Sequence, residues 1–181
     1  MEKTNEKRNR MKRIVLMLCA AVVAISTVLG SGVTEVQAKQ SKVDKVVKHA
    51  RAVYYGTNEK LKNYEESGEK GVYTDYYDRK NDVLRKTVMS AKEDAPDSVK
   101  GYTCEYYYDS KQKTCFIFAY KKIKGKVKEY RAYYGADGKL YRYIGPSGKI
   151  KDYKKGKDLT DSSKLVSKLY YASLMHLHYV L

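Results

Sequence analysis

Residues 102–153 read YTCEYYYDSKQKTCFIFAYKKIKGKVKEYRAYYGADGKLYRYIGPSGKIKDY, and this stretch decides the fold. Runs rich in Tyr, Phe, Ile, Val and Thr alternate with short clusters of Gly, Asp, Ser and Pro, the pattern of strands joined by turns. The spacing predicts strands over 102–108, 113–123, 127–134, 139–144 and 149–153. Between them stand Asp109-Ser110, Lys124-Gly125-Lys126, Gly135-Ala136-Asp137-Gly138 and Gly145-Pro146-Ser147-Gly148. Turns this short join neighbours, so the strands are expected to form an antiparallel meander.

Working outward, a further hairpin is predicted over 72–77 and 83–89. Its five-residue loop would place Asp75 opposite Arg85 and Val72 opposite Val88. The loop 93–101, with Pro96, connects it to the stretch above. Before it, Val43, Val46, Val47, Ala50, Val53 and Tyr54 recur at intervals of three and four from Ser41 onward, one face of a helix that Leu61 and Tyr64 extend past Gly56. The run Ser67-Gly68-Glu69-Lys70-Gly71 ends that segment. Residues 163–181 carry Leu165, Val166, Leu169, Tyr170, Leu174, Leu177 and Leu181 at helical spacing, with Thr160 and Asp161 as caps. The expected class is α+β: a meander of about five to seven strands, with the N-terminal and C-terminal helices packed on one face.

With turns this short, Cys104 lies opposite Cys115, Ile123 opposite Val127, Tyr133 opposite Leu140 and Tyr143 opposite Ile150. Alternation then divides the side chains. One face gathers Tyr107, Phe116, Phe118, Tyr120, Tyr130, Ala132, Tyr134, Tyr141, Tyr143 and Ile150, and is expected to be the core. The other gathers Cys104, Cys115, Lys121, Glu129, Arg131, Leu140, Arg142, Ile144 and Lys151, and is expected to face water.

The N-terminus reads as an export signal. Residues 1–13 hold six basic side chains against two acids, and residues 14–30 carry no charge. Met11-Lys12-Arg13-Ile14 is itself an ordinary start for such a peptide, so Met11 is an alternative initiator. Val36-Gln37-Ala38 places small residues at −3 and −1, predicting cleavage before Lys39, with 1–38 as signal peptide and 39–181 as a single domain. An uncleaved anchor is the alternative, because 17 apolar residues touch the lower limit of a spanning helix. Leu18 directly before Cys19 disfavours lipid attachment.

The 181 residues carry 37 Lys+Arg against 21 Asp+Glu, a net charge of +16, with a mean hydropathy of −0.67. With 32% charged residues the chain is no multi-span membrane protein, and with 43% hydrophobic residues it is no disordered tail. Residues 39–181 keep 31 basic and 18 acidic groups, a net +13. They also keep all 20 tyrosines beside 38 residues of the A/V/I/L/M/F/C set, so the core is partly built of Tyr. Such rings prefer half-buried sites with an apolar body and a wet hydroxyl, as sheet faces offer. Cys104 and Cys115, an isolated pair in an exported chain, predict one disulfide.

The segments Glu105-Tyr106-Tyr107-Tyr108-Asp109 before Phe116-Ile117-Phe118, and Tyr130-Arg131-Ala132-Tyr133-Tyr134 before Gly138-Lys139-Leu140-Tyr141-Arg142-Tyr143, resemble a group of small exported bacterial proteins. That group shares a helix followed by Tyr-rich hairpins of the pattern EYYYD…GKLxFxF and RYYF…GKLIRW. The resemblance covers about residues 41–153 and implies fold and export, not chemistry. The hairpins also resemble choline-binding wall repeats, whose Trp and Tyr rings cage a quaternary ammonium. This chain has no Trp and no regular repeat of that length.

No nucleophile elbow, P-loop, H-E-x-x-H or Gly-rich dinucleotide turn occurs. His176 and His178 stand two apart on a predicted helix, pointing about 200° from each other, and no third ligand stands nearby, so no metal site and no cofactor is expected. His49 lies within the first helix. Glu65-Glu66 and the pair Glu105 and Glu129 are the carboxylates that glycoside hydrolysis could use, but they read as solvated surface groups and no catalytic residue is assigned.

The expected function is therefore a non-catalytic exported binding module. Its cationic Tyr/Arg sheet face would meet an anionic envelope polymer, such as teichoic acid or a phosphorylated glycan. The expected binding residues are Arg131, Arg142, Lys151 and Tyr133: in the register above, Arg131 faces Arg142 and Arg142 faces Lys151, a row of like charge that an anion would complete. An inhibitor or adaptor with a protein partner is the alternative, since Tyr and Arg are common interface anchors. A weakly marked hydrolase is the third reading. Export disfavours nucleic acid, because basic composition alone is a non-specific footprint.

Overall fold

The computed structural model describes residues 40–90, 100–159 and 164–180. The predicted signal segment, its cleavage site and Cys19 lie outside them. Helix α1 (Lys42–Glu59) is followed by a single 3-10 turn (Leu61–Asn63). The strands are β1 (Glu65–Ser67), β2 (Tyr73–Asp78), β3 (Val83–Met89), β4 (Thr103–Tyr108), β5 (Thr114–Ile123), β6 (Lys126–Tyr134), β7 (Leu140–Ile144) and β8 (Ile150–Lys157). Helix α2 (Leu165–Val180) ends the described chain. The strands form one antiparallel sheet in chain order, so the meander is as expected, with eight strands rather than five to seven. The extra strand, Glu65–Ser67, has no apolar residue and is exposed throughout; backbone pairing to β2 alone makes it a strand.

Local chemistry sets the helix start. Ser41 is extended, accepts the Asp44 N–H at 3.1 Å and donates its own hydroxyl to the Asp44 carboxylate at 2.7 Å, a reciprocal cap with an acid in the first turn. The helix then buries Val43, Val47, Ala50 and Thr57 on one stripe.

The two helices lie on opposite faces of the sheet, which corrects the expectation of one shared face. Helix α1 packs Val43, Val47 and Ala50 against Tyr107, Phe116, Tyr133 and Tyr141. Helix α2 packs Leu169 and Leu177 on the other side, in a core with Leu84, Tyr106, Tyr108, Ile117 and Tyr134. Strand β4 explains why: Tyr106, Tyr107 and Tyr108 follow one another and are all fully buried. Successive strand side chains point to opposite faces, so a run of three buried rings needs cover on both. Each buried Leu or Val of the helices contributes about 1.5–3 kcal/mol of transfer free energy toward that cover.

The register differs from expectation at the β5–β6 turn. Ile123 pairs with Lys126 and Lys122 with Val127, so the turn has two residues, Lys124 at φ 48° and Gly125 at φ 78°, rather than three. Positive φ at both central residues is the hairpin geometry whose twist matches the strands. A slip of one residue moves every later side chain to the other face. Tyr130, Ala132, Tyr134 and Tyr143 therefore lie under α2, while Phe118, Arg131, Tyr133 and Arg142 lie with α1.

The predicted disulfide is absent: Cys104 and Cys115 are both free and buried. Cys104 pairs with Ala119, and Cys115 is the extra residue of a bulge, between Phe116 opposite Tyr107 and Thr114 opposite Tyr108. Cys104 belongs to the core under α2 and Cys115 to the core under α1. The two lie three to four residues apart along the hairpin, about 10–13 Å, beyond the roughly 7 Å that a disulfide spans between Cα atoms.

Candidate binding face

Helix α2 leaves part of its side of the sheet uncovered, and there the alternation brings tyrosine and lysine together. Tyr143 pairs with Ala132 on one side and Lys151 on the other; Tyr130 pairs with Ala119 and Lys128 with Lys121. Tyr102 enters this face just before β4, and Tyr153 continues it on β8. All four tyrosines pack against the α2-side core while staying half-buried. Tyr102 and Tyr130 meet edge to face at 5.7 Å, and Tyr130 lies 6.3 Å from Tyr143 at a tilt of 32°. Such offset and edge arrangements suit the ring quadrupoles.

Lysines cap the rings. Lys121 Nζ stands 5.2 Å from the Tyr102 ring, and Lys151 and Lys157 each stand 5.6 Å from the Tyr153 ring. Among the described residues Lys121, Lys128, Lys151 and Lys157 have no ion-pair partner. Lys121 and Lys128 face each other across the β5–β6 hairpin, where like charges cost a few tenths to about 1 kcal/mol. Burial pushes the Tyr102 hydroxyl up to about 12, with the Tyr130 hydroxyl hydrogen-bonded beside it, and burial likewise pushes Tyr143 up to about 12. Tyr102 and Tyr143 are therefore neutral hydrogen-bonding groups, and the lysines bring the positive charge to this face. A small apolar cleft opens beside it, between Tyr130, Tyr143 and Ala132 on the sheet and Leu165, Val166 and Leu169 on α2.

The predicted cation row does not form. Arg131 pairs with Ile144, and Arg142 with Tyr133 and Asp152. Arg142 grips Asp152 with a two-pronged bond from Nε and Nη2, at 2.6 and 2.7 Å, and Arg131 bonds Glu129 at 2.9 Å. Tyr133 is buried against Phe116 at 4.9 Å, which leaves no ring face for a ligand. Of the four residues Lys151 alone lies on the Tyr/Lys face. Sequence reasoning missed Tyr102, Lys121, Lys128, Tyr130, Tyr143, Tyr153 and Lys157; the Lys124-Gly125 dipeptide, read as a two-residue turn, would have placed most of them.

Two polar clusters tie the layers together instead. On the α1 side Lys86 bonds Glu105 at 2.8 Å, the Tyr107 hydroxyl donates to the same carboxylate at 2.5 Å, and the Asn58 amide donates to the Tyr107 oxygen at 3.1 Å. Burial, with the Glu105 charge beside it, drives the Tyr107 phenol far up. Glu105 and Glu129 share this face, but each is held by its own cation. On the α2 side His176 reaches both oxygens of buried Asp75, at 2.9 and 3.0 Å, and Thr87 donates to Asp75 at 2.6 Å. His176 is buried and His178 exposed, while His49 stands 3.7 Å from Asp109.

No family model matches the chain, and no curated protein matches it. Two solved structures are similar. One is a crystal structure of TarM, 17% identical over 62% of this chain and 21% of that one, at a TM-score of 0.36. The other is an S. aureus TarM mutant in complex with fondaparinux, alpha-GlcNAc-glycerol and UDP, 14% identical over 61% of this chain and 28% of that one, at 0.31. The chain spans less than a third of either, and likeness of this size carries no argument about function.

Proposed function

We propose that the protein is an exported, non-catalytic binding module that holds an anionic polymer of the cell envelope, such as a teichoic acid, on the Tyr/Lys face of its sheet. One observation carries the reading: four lysines without acidic partners among the described residues cluster with four half-buried tyrosines on one uncovered sheet face. The arginines of the sheet, by contrast, are paired: Arg142 with Asp152, Arg85 with Asp78 and Arg131 with Glu129. Unpaired cations opposed across a hairpin favour whatever anion comes between them. The N-terminal signal pattern supports an envelope location for that anion.

The test is a pull-down of the exported protein from whole envelope, eluted with a salt gradient. Elution of a phosphate-rich polymer at moderate salt supports the reading, because screening weakens such contacts steeply. Retention of nothing but protein favours the second reading, an adaptor for a protein partner. That reading rests on the outer side of α2, where Met175 is 68% and Tyr179 89% exposed beside Tyr171 and Leu174.

A further inference from the structure

The layout of the Tyr/Lys face points to more than charge. Its cations form two groups, Lys121 with Lys128 on the β5–β6 hairpin and Lys151 with Lys157 on β8. Lys151 pairs with Tyr143 and Tyr143 with Ala132, so Lys128 lies two strands across and four residues along from Lys151. That separation is about 16 Å between backbones. Between the groups there is no charge: Tyr130 stands midway, Tyr143 beside Lys151, and Tyr102 edge-on to Tyr130. The apolar cleft under Leu165, Val166 and Leu169 opens at Tyr130 and Tyr143.

A face made for bare polyphosphate would be cationic along its whole length. This one is cationic at both ends and aromatic between them. Resting on the polymer-binding reading above, we propose that the ligand is a phosphodiester polymer carrying uncharged sugar rings. Its phosphates lie on the two lysine groups, and a pyranose ring stacks on Tyr130 and Tyr143 with its apolar edge toward the cleft. Aromatic rings attract the C–H faces of a pyranose, and the phenol hydroxyls can bond its alcohols.

The experiment titrates the exported protein with three probes: inorganic polyphosphate, unsubstituted poly(glycerol phosphate), and the same polymer bearing pyranosyl substituents. The expected result is about tenfold tighter binding of the substituted polymer, the size of effect one good aromatic contact supplies. Tyr130→Ala with Tyr143→Ala should erase that preference and leave the affinity for polyphosphate unchanged. Tyr130→Phe with Tyr143→Phe keeps the rings, and with them most of the preference, so a folding defect in the alanine variant does not decide the matter. Equal affinity for all three probes overturns the sugar-stacking inference and leaves polymer binding standing. Binding to none of them overturns the polymer reading and this inference with it.

Discussion

At the residue scale the cysteines and the buried ion pair give the sharpest expectations. Burial raises the Cys104 thiol to about 12, and burial together with the Asp109 charge raises Cys115 further. Both thiols are therefore protonated and shielded in the native state, and they should resist alkylation until the chain unfolds. Mass spectrometry of the peptides carrying Cys104 and Cys115 after native and denaturing alkylation checks this: neither is expected to be labelled in the native protein and both in the unfolded one, whereas a disulfide mass would restore the pairing read from the sequence. Lys86 offers a second test. Replacing Glu105 by Leu leaves its buried ammonium without an anion and the Tyr107 hydroxyl with Asn58 alone, a loss of about 3–5 kcal/mol by denaturant titration. The sequence showed Glu105 only as a carboxylate, because Lys86 reaches it from another strand and Asn58 joins the cluster from the helix through Tyr107 and Lys86.

At the scale of elements the outcome turned on two-residue geometry. Strands 83–89 and 113–123 and the stripe from Val43 to Tyr54 were legible, since alternation and helical spacing survive any pairing. Register was not, because the run Lys124-Gly125-Lys126 allows a turn of two residues or three, and that single choice moved Arg131, Tyr133 and Tyr143 to the opposite faces. Bulges between Tyr133 and Tyr134 and between Leu140 and Arg142 then shifted β7 and β8 again. Gly156 marks one such irregularity: at φ 74°, a Cβ there would lie 2.8 Å from the Lys139 Cβ and 2.9 Å from the Tyr141 ring. Gly156→Ala should cost about 1–3 kcal/mol, read as a lowered melting temperature, while the same change at the exposed Ser147 should cost little. Helix α2 is pinned by His176 on Asp75. His176→Leu leaves that buried carboxylate with Thr87 as its remaining side-chain partner, and faster hydrogen exchange across α2 than across α1 is the expected signature.

At the scale of the whole molecule, stability should fall at both ends of the pH range. Asn81 and then Arg85 hold the Asp78 carboxyl low, and Arg142 holds Asp152 low; at Asp137 burial pushes upward, but hydrogen bonds from Tyr141, the Lys139 backbone and Lys42 outweigh it. Groups depressed on folding stabilise fully above their unfolded values, near pH 4, and lose that contribution as pH falls through their folded ones. Cys104, Tyr102 and Tyr143 are raised by burial, so their contribution is complete below the unfolded values and is lost as pH climbs from about 8.5 for the thiol and about 10 for the phenols. Melting curves across pH should therefore give a plateau near neutrality with a loss on each side.

On the scale of the whole molecule, Lys121, Lys128, Lys151 and Lys157 gather unpaired positive charge on the Tyr/Lys face, and the role of that charge is open to a single measurement. The affinity of the protein for poly(glycerol phosphate) is followed from about 50 to about 300 mM salt, beside a variant with Lys121, Lys128, Lys151 and Lys157 all changed to Gln and an Arg131→Gln control. Affinity is expected to fall more than tenfold over that range, the four-lysine variant to lose both affinity and most of the salt slope, and the control to follow the parent. Parent-like affinity and slope in the four-lysine variant would contradict that role.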